Sequence, residues 1–408
     1  MRCYNSHVRA RLLIVCVFLF CAYARGWAQT ALPDFNKDDR VLVLAPHPDD
    51  ESIAAAGVIQ RAIKAGAHVK VVCFTNGDNN EFSFIVYEKR LTFRKGEFLH
   101  MGAVRGKETM AAMKFLGVGE HDVNYMGYPD FGTMEILTKY WDAKQPYRSM
   151  LPRVQEVSYQ NAMSVGAPFT GESILRDIST VLLAFKPTKI FVSHPADTNR
   201  DHQSLYLFLH VALWDLEGRI EQPQVYPYLV HVIGWPVPRG KHPKMALKPP
   251  KDLVHIAWQQ LILTDKELVN KEKAISFHKS QIACNPPYLF TFVRSNELYG
   301  DFEHIILKQP DSESINWQRV AIDAPEQKDG NGSFLYYAVG KKDFLIKVAL
   351  RKKLDKRLGL YIYLLGYSKS KKFADMPKLA ITIGLLRMRI KDQQEVVFIK
   401  DANLRFEG

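Results

Sequence analysis

Residues 40–75 read RVLVLAPHPDDESIAAAGVIQRAIKAGAHVKVVCFT, and this stretch decides the fold class. Its first part, 40–46, is a short apolar run typical of a buried strand, and 68–75 is another. Between them, 51–66 carries apolar residues at helical spacing and ends at a glycine. A strand, a helix and a second strand in this order predict a βαβ unit with two parallel strands.

The same alternation continues to about residue 234. Helical patterns lie at 105–118, 172–187 and 202–218, and a further strand is predicted at 189–195. Strands that alternate with helices predict an α/β fold, in which helices cover both faces of a mostly parallel sheet. Any functional site then lies at the carboxyl ends of the strands.

The pattern changes after about residue 300. Short apolar runs are separated there by polar residues, glycine or proline, and no segment has a convincing helical period. This favours an accessory β-sandwich-like domain at 301–408, appended to an α/β domain at 29–300. The proline-rich segment 234–250 is expected to be a long ordered loop, with an interdomain linker as the alternative.

Residues 1–28 have the features of a secretory signal peptide. Three arginines precede an apolar run, and small residues, Gly26 and Ala28, occupy the two positions that a signal peptidase reads. The apolar run is shorter than the about 18 residues expected of a membrane anchor. We therefore expect cleavage after Ala28 and export of the mature chain to the periplasm or the extracellular space.

Cleavage would leave Cys73 and Cys284 of the five cysteines in the chain. Two thiols so distant in sequence build neither a disulfide framework nor a cysteine-type zinc site. Any metal in this protein must therefore be bound by histidine and carboxylate side chains.

The basic character of the chain is concentrated near its C-terminus. The net charge of +12 falls to +8 without the signal peptide, which holds four arginines and no acidic residue. Residues 341–391 contain fifteen lysines or arginines and three aspartates. A nucleic-acid partner is not expected for an exported protein. This basic patch is therefore interpreted either as a solvated face or as a surface that binds an anionic glycan or membrane.

Two polar clusters lie at predicted strand ends. His47 ends the first strand and Asp50 opens the next helix, while SHPADTNRDH at 193–202 ends another strand and places His202 at the start of a helix. Two strand ends at one crevice can bring His47, Asp50 and His202 around one cation. Two imidazoles and one carboxylate with open positions are typical of catalytic zinc, and ferrous iron is the alternative.

Asp49 then has a separate predicted task. A carboxylate near the metal, yet not bound to it, can take the proton of the water that attacks a carbonyl carbon. This arrangement suits the hydrolysis of an amide or an ester. Each residue alone also has an ordinary interpretation, because a histidine at a strand end is often structural and an aspartate at a helix start is a common cap.

The motifs PHPDDE at 46–51 and RDH at 200–202, together with RGKE at 105–108 and FLG at 115–117, resemble those of the PIG-L/LmbE-like zinc N-deacetylases. This family includes N-acetylglucosaminyl-phosphatidylinositol de-N-acetylase and the mycothiol-pathway deacetylase. The resemblance covers roughly 38 to 285. It implies a Rossmann-like fold, zinc, and removal of acetyl from an N-acetylated, usually glucosamine-type, sugar.

Carried over by position, the resemblance implies that His47, Asp50 and His202 are the metal ligands and that Asp49 is the general base. Arg105 resembles a substrate-contacting arginine of the family. An ion pair with Glu108 on the helix surface is the alternative for Arg105.

One position departs from the family pattern, which commonly has histidine where this chain has Asn199. An amide can donate a hydrogen bond to an oxyanion but cannot deliver a proton to the leaving amine. Either protonated Asp49 returns its proton to the amine, or His194 takes the place of the missing histidine. Asp201 resembles the carboxylate that orients a histidine in the family. Because this chain has no histidine at 199, the sequence does not show which residue Asp201 orients.

The predicted function is therefore that of an exported zinc-dependent N-deacetylase acting on an N-acetylglucosamine-type sugar or glycoconjugate. One alternative is a glycan-binding protein with an inactive deacetylase-like domain, which Asn199 suggests and the intact set of ligands and base opposes. Another is an amidase or esterase that uses the same apparatus on a non-sugar substrate.

Overall fold

The computed structural model describes the following residues: 29–91, 94–142, 144–254, 256–302, 317–321, 334–339, 343–349, 360–376, 378–383 and 397–400. The predicted signal peptide, 1–28, lies outside these described residues. Within them, no helix has both the length and the apolar character that a membrane crossing requires.

Five parallel strands form the central sheet: β2 (Arg40–Ala45), β3 (His68–Thr75), β4 (Val123–Tyr128), β5 (Lys189–Ser193) and β6 (Gln224–Tyr228). Their spatial order is β4-β3-β2-β5-β6, and every neighbouring pair is parallel. The chain runs outward from β2 in one direction through β3 and β4, and in the other through β5 and β6. A topological switch point therefore lies between β2 and β5, where open α/β sheets bind their ligands.

Nine helices occur in the described part of the chain: α1 (Asp50–Lys64), α2 (Glu81–Glu88), α3 (Lys95–Leu116), α4 (Thr133–Lys139), α5 (Gly171–Phe185), α6 (Arg200–Asp215), α7 (Asp265–Ile275), α8 (Lys279–Cys284) and α9 (Pro286–Phe290). The predicted βαβ unit is present as β2, α1 and β3. Together, the parallel sheet and its helices confirm the predicted Rossmann-like α/β class.

Helix α3 begins ten residues before the predicted start at 105. Its buried stripe is continuous, but the middle of that stripe consists of Gly102, Arg105, Gly106 and Thr109 rather than of apolar residues. The turns that the pattern missed, 95–104, bury only Phe98, Met101 and Gly102, so the apolar period that marks a helix is weak there as well.

Side chains of β2 point alternately into two cores. Val41, Val43 and Ala45 belong to the core on one face of the sheet, whereas Leu42 and Leu44 belong to the core on the other. A strand that is covered on both faces needs an unbroken apolar run, as these residues provide. The strand is thereby held rigidly, with its carboxyl end at the switch point.

A second, three-stranded sheet has the order β1-β7-β8 and consists of β1 (Thr30–Ala31), β7 (Gln259–Ile262) and β8 (Asn296–Tyr299). The proline-rich segment 234–250 precedes β7, and its Trp235 and Leu247 are buried in the same core as β2. This segment is therefore a loop of the α/β domain, and the alternative that it links two domains was wrong.

The C-terminal region holds six strands in the described residues: β9 (Gln318–Ala321), β10 (Phe334–Val339), β11 (Asp343–Ala349), β12 (Leu360–Leu365), β13 (Lys378–Ile383) and β14 (Val397–Lys400). They form an antiparallel sheet of order β14-β11-β10-β9 and an antiparallel β12-β13 pair. Phe373 packs edge-on against Trp141 of the α/β region, with ring centroids 4.4 Å apart. The domain boundary at about 300 stays a prediction.

Candidate active site

A cavity of about 230 Å³ opens beside the switch point of the central sheet. Its lining consists of His47, Asp49, Asp50, Ile53, Asn80, Arg105, Asp130, Phe131, Asn199, His231, Gln281, Cys284, Asn285, Tyr288 and Leu289. These residues come mainly from the loops that follow the strands and from α8 and α9. The cavity therefore lies where the strand pattern predicted a site.

The three predicted metal ligands lie together, with His47 and Asp50 in the wall of the cavity. His47 Nδ1 lies 3.3 Å from Asp50 Oδ2 and 3.2 Å from His202 Nε2, and Asp50 Oδ2 lies 3.2 Å from His202 Nε2. A tetrahedron whose corners are about 2 Å from its centre has edges of about 3.3 Å, which is the spacing of ligands around zinc. The three donor atoms therefore fit one divalent ion.

Local backbone features hold these donors in place. Asp50 Oδ2 accepts a hydrogen bond of 3.0 Å from the backbone N–H of His47, which ties the two ligands of the first motif together. Asn199 caps α6 by accepting a hydrogen bond of 2.8 Å from the N–H of Asp201. Because of this cap, His202 lies in the first turn of the helix and faces the switch point.

Buried carboxylates give the cluster a strong preference for positive charge. Burial opposes a charged imidazole, yet Asp197 and Asp50 raise the pKa of His202 to about 9. The pKa of His47 is likewise raised against the effect of burial by Asp130, Asp201 and Asp50. A site of this charge is neutralised either by protons on the two imidazoles or by a cation, so the electrostatics agree with the spacing.

Further carboxylates hold the outer nitrogens of the two histidines. His47 Nε2 lies 3.2 Å from both Asp130 Oδ1 and Asp201 Oδ2, and His202 Nδ1 lies 3.2 Å from Asp197 Oδ2. Such contacts fix the ring orientation of metal-binding histidines and increase their basicity. The sequence did not show which residue Asp201 orients, and the structure shows that it contacts His47.

Asp49 lies between the ligands and an arginine, in a strained conformation. Its φ of 136° falls in a region that residues other than glycine rarely adopt. Its N–H donates to Glu51 Oε2 at 3.0 Å, and its carboxylate lies 3.4 Å from Arg105 Nη2. Burial raises the pKa of Asp49 to about 7, Arg105 lowers it and Asp50 raises it. A carboxyl with this pKa can both accept and return a proton near neutral pH.

Arg105 is buried in the cavity wall, with 4% of its surface exposed. Its guanidinium donates hydrogen bonds of 2.8 Å to Gly77 O and 2.9 Å to Pro48 O. Glu108 instead accepts hydrogen bonds from the N–H and hydroxyl of Ser280. Arg105 therefore holds the turn that carries Asp49, and the alternative of an ion pair with Glu108 was wrong.

The structure does not bring His194 to the cavity. Its ring stacks on Trp258 and contacts Phe302, and its Nδ1 accepts a hydrogen bond of 2.9 Å from the N–H of Ala196. Burial lowers the pKa of His194 to about 3, so the imidazole is neutral. We assign no role in the chemistry to this residue.

Among the residues at the site that the sequence reasoning missed are Asp130, Asp197 and His231. Each lies within a few residues of the end of a strand, after β4, β5 and β6 respectively. Position at a carboxyl strand end is the one signal that pointed to them. β4 and β6 were not among the predicted strands, and Asp197 lies within the quoted cluster at 193–202 but was not singled out there. Their contribution therefore became visible only from the fold.

Comparison with known sequences agrees with the motifs. Residues 42–213 match the family model described as PIG-L: GlcNAc-PI de-N-acetylase. A 1D-myo-inositol 2-acetamido-2-deoxy-alpha-D-glucopyranoside deacetylase from Mycobacterium avium is 36% identical over 81 residues, which are 20% of this chain and 26% of that protein. The protein of the same name from Kribbella flavida is 33% identical over 92 residues, 22% and 29% of the two chains. The chain thus spans less than a third of the length of these curated relatives.

Among solved structures, N,N'-diacetylchitobiose deacetylase from Pyrococcus horikoshii matches 60% of this chain and 72% of its own, at 18% identity and a TM-score of 0.36. The match to the family model identifies a PIG-L domain at residues 42–213, as the PHPDDE and RDH motifs predicted.

Proposed function

We propose that this protein is an exported, metal-dependent N-deacetylase that removes the acetyl group from an N-acetylglucosamine-type sugar or glycoconjugate. The observation that carries the proposal is the triangle of donor atoms from His47, Asp50 and His202, with Asp49 beside it in the same cavity. The family of residues 42–213 supports the same reaction class.

A divalent ion held by His47, Asp50 and His202 would supply a water of lowered pKa and polarise the acetyl carbonyl. Two imidazoles and one carboxylate suit zinc, and they also suit ferrous iron, because such ligands select weakly between the two. The donor set contains no thiolate, and Cys73 and Cys284 are both free.

Asp49 carries the proton transfers in this proposal. Its carboxylate takes a proton from the attacking water as the new C–O bond forms at the acetyl carbon. The same carboxyl then delivers that proton to the nitrogen as the C–N bond breaks, releasing acetate and a free amine. Asn199 lines the cavity but cannot deliver a proton, and His194 lies elsewhere, so both proton steps are assigned to Asp49.

The cavity favours a small reacting group. Its volume of about 230 Å³ is below the roughly 300–1,000 Å³ of pockets that enclose drug-sized ligands. A single acetamido sugar is the substrate unit that we assign to it. The curated relatives named above act, by their names, on a 2-acetamido-2-deoxy-glucopyranoside, which supports this choice.

We extend the proposal to location and surface binding. The features of residues 1–28 support export, and the excess of basic residues at 341–391 supports binding to an anionic glycan or membrane surface. Most of those basic residues lie outside the described residues, but Lys371 and Lys372 are described and exposed. Retention on acidic polysaccharide that weakens with salt, and with Lys371→Gln and Lys372→Gln, would support surface binding.

Acetate release tests the proposed function. The mature protein should release acetate from small N-acetylglucosamine conjugates, and a chelator should abolish this release. Matched acetyl esters and non-sugar acetamides should be poorer substrates. Faster hydrolysis of an ester or of a non-sugar amide would favour the esterase or amidase alternative, whereas tight glycan binding without any acetate release would favour the inactive binding protein.

A further inference from the structure

His231 lies against the candidate metal ligands, although neither sequence motif contains it. Its ring centroid is 4.7 Å from that of His202, with the rings nearly perpendicular. One of its ring nitrogens lies within 4.8 Å of the donor atoms of His47, Asp50 and His202, and the residue lines the cavity. A polar ring at this place faces any group that reacts at the metal site.

Tyr288 contacts the Nδ1 nitrogen of His231. The two rings are stacked with 6° between their planes, and the Tyr288 hydroxyl lies 2.8 Å from His231 Nδ1. Burial raises the pKa of Tyr288, so its hydroxyl stays protonated and can donate. The other acceptor near this hydroxyl, Val230 O, is farther away, at 3.3 Å. When Nδ1 accepts the hydroxyl proton, a neutral His231 has its own proton on Nε2.

The backbone of His231 is also held firmly. Asp197 Oδ2 accepts hydrogen bonds of 2.8 Å from the N–H of His231 and 3.1 Å from that of Val230. The same oxygen lies 3.2 Å from His202 Nδ1. The carbonyl of His231 accepts from both the N–H and the hydroxyl of Thr198, at 2.8 and 2.9 Å. One carboxylate thus positions a metal ligand and His231 together, and donors that are fixed in advance stabilise developing charge most effectively.

We propose that His231 donates its Nε2–H to the carbonyl oxygen of the bound acetamide and to the oxyanion that develops there, in place of the family histidine that Asn199 replaces. Tyr288 is its positioning residue. In this proposed tautomer Nε2 carries a proton and has no lone pair for a metal, so His231 acts as a hydrogen-bond donor and not as a fourth ligand. The site therefore keeps the open positions that a catalytic centre needs. This inference rests on the proposed deacetylase function.

The test compares three variants with the wild type and with His121→Ala, a control that removes an exposed histidine. His231→Ala should keep one equivalent of metal and a KM within a few-fold, while kcat falls by roughly 10²–10³-fold, as for loss of an oxyanion donor. His231→Gln retains an N–H donor and should recover part of the rate. Tyr288→Phe removes the hydroxyl that contacts His231 Nδ1, and its kcat should lie between those of His231→Ala and the wild type.

A second readout does not depend on turnover. An N-acetylglucosamine analogue with a methylphosphonamidate in place of the acetamide mimics the tetrahedral oxyanion, and its affinity can be measured by calorimetry on the metal-loaded protein. His231→Ala should weaken this binding by about the factor lost in kcat, but should not weaken binding of the free-amine product.

Two results would overturn the inference while leaving the proposed function intact. Loss of the metal from His231→Ala would make His231 a ligand, and unchanged kcat and analogue affinity would place the oxyanion donor elsewhere. A wild-type protein that holds its metal, yet neither releases acetate nor binds the analogue, would instead contradict the proposed function, and the inference with it.

Discussion

His47 Nε2 lies 3.2 Å from an oxygen of Asp201, although the two residues are 154 positions apart in the chain. The same carboxylate accepts hydrogen bonds from the N–H groups of Phe131 and Thr133 and from the Thr133 hydroxyl. The second motif therefore supplies both a predicted ligand, His202, and the group that orients the histidine of the first motif. Asp201 connects the two halves of the site across the switch point.

We predict that Asp201→Asn weakens metal binding by about 10- to 100-fold, the usual effect of losing a carboxylate partner of a ligand histidine. The amide preserves the size of the side chain and one acceptor oxygen, so the fold should persist. Competition with a chelator of known affinity measures the effect. Unchanged metal affinity would mean that Asp201 serves only the loop at Phe131 and Thr133.

Asp49→Asn should separate metal binding from turnover. The substitution keeps the size of the side chain but removes the proton acceptor, so we expect full metal content and a kcat lower by roughly 10²-fold or more. Metal analysis and acetate release on the same preparation measure both quantities. Activity within a few-fold of wild type would place the base on another residue.

The pH profile should respond to Arg105. In the proposed mechanism turnover needs deprotonated Asp49, so kcat/KM should rise with pH through the pKa of Asp49. The nearby Arg105 guanidinium lowers that pKa. Arg105→Gln removes the positive charge and should raise the pKa, which moves the acidic limb of the profile to higher pH by about one unit or more.

Arg105→Lys is the matched control for this experiment. It keeps a positive charge but loses the guanidinium hydrogen bonds to Gly77 O and Pro48 O. If the acidic limb of the kcat/KM profile shifts equally in Arg105→Gln and Arg105→Lys, the geometry of the turn at Asp49 controls the profile, and the charge of residue 105 does not.

His194 should affect stability in acid and leave catalysis unchanged. Its pKa is about 3 in the folded protein and about 6.5 in the unfolded chain. Between these values the unfolded state binds more protons than the folded state. The free energy of unfolding therefore decreases as pH falls from about 6.5 towards 3. The loss is about 1.4 kcal/mol per pH unit for one proton.

His194→Asn keeps an acceptor for the Ala196 N–H but does not titrate. From pH 6.5 to 5, the wild type should therefore lose up to about 2 kcal/mol more of its free energy of unfolding than the variant. Denaturant unfolding at the two pH values measures this difference. If His194→Asn instead lowers kcat and removes the alkaline limb of the pH–rate profile, His194 is the general acid that protonates the leaving amine.

The convergence of His47, Asp50 and His202 was predictable, because each belongs to a dense polar cluster at the end of an apolar run. A parallel sheet brings such ends to one edge whatever their separation in sequence. This inference needed only local patterns and one rule of topology.

His231 and Arg105 show where such reasoning ends. His231 stands alone in an apolar stretch, YLVHVIGW, and its importance depends on Asp197 and Tyr288, which come from distant segments. Arg105 lies on a helix whose sequence is equally compatible with a surface ion pair. Burial and partner choice are properties of the tertiary structure, and a single sequence does not determine them locally.

The central claim is that one divalent ion at His47, Asp50 and His202 is required for acetate release. The most direct measurement is a titration of the metal-free protein with zinc or ferrous ion up to one equivalent, following acetate release from an N-acetylglucosamine conjugate. We predict no release without metal, a linear rise up to one equivalent, and no comparable rise in His202→Ala at the same concentrations. Full activity in the metal-free protein, or an equal rise in His202→Ala, would contradict the account.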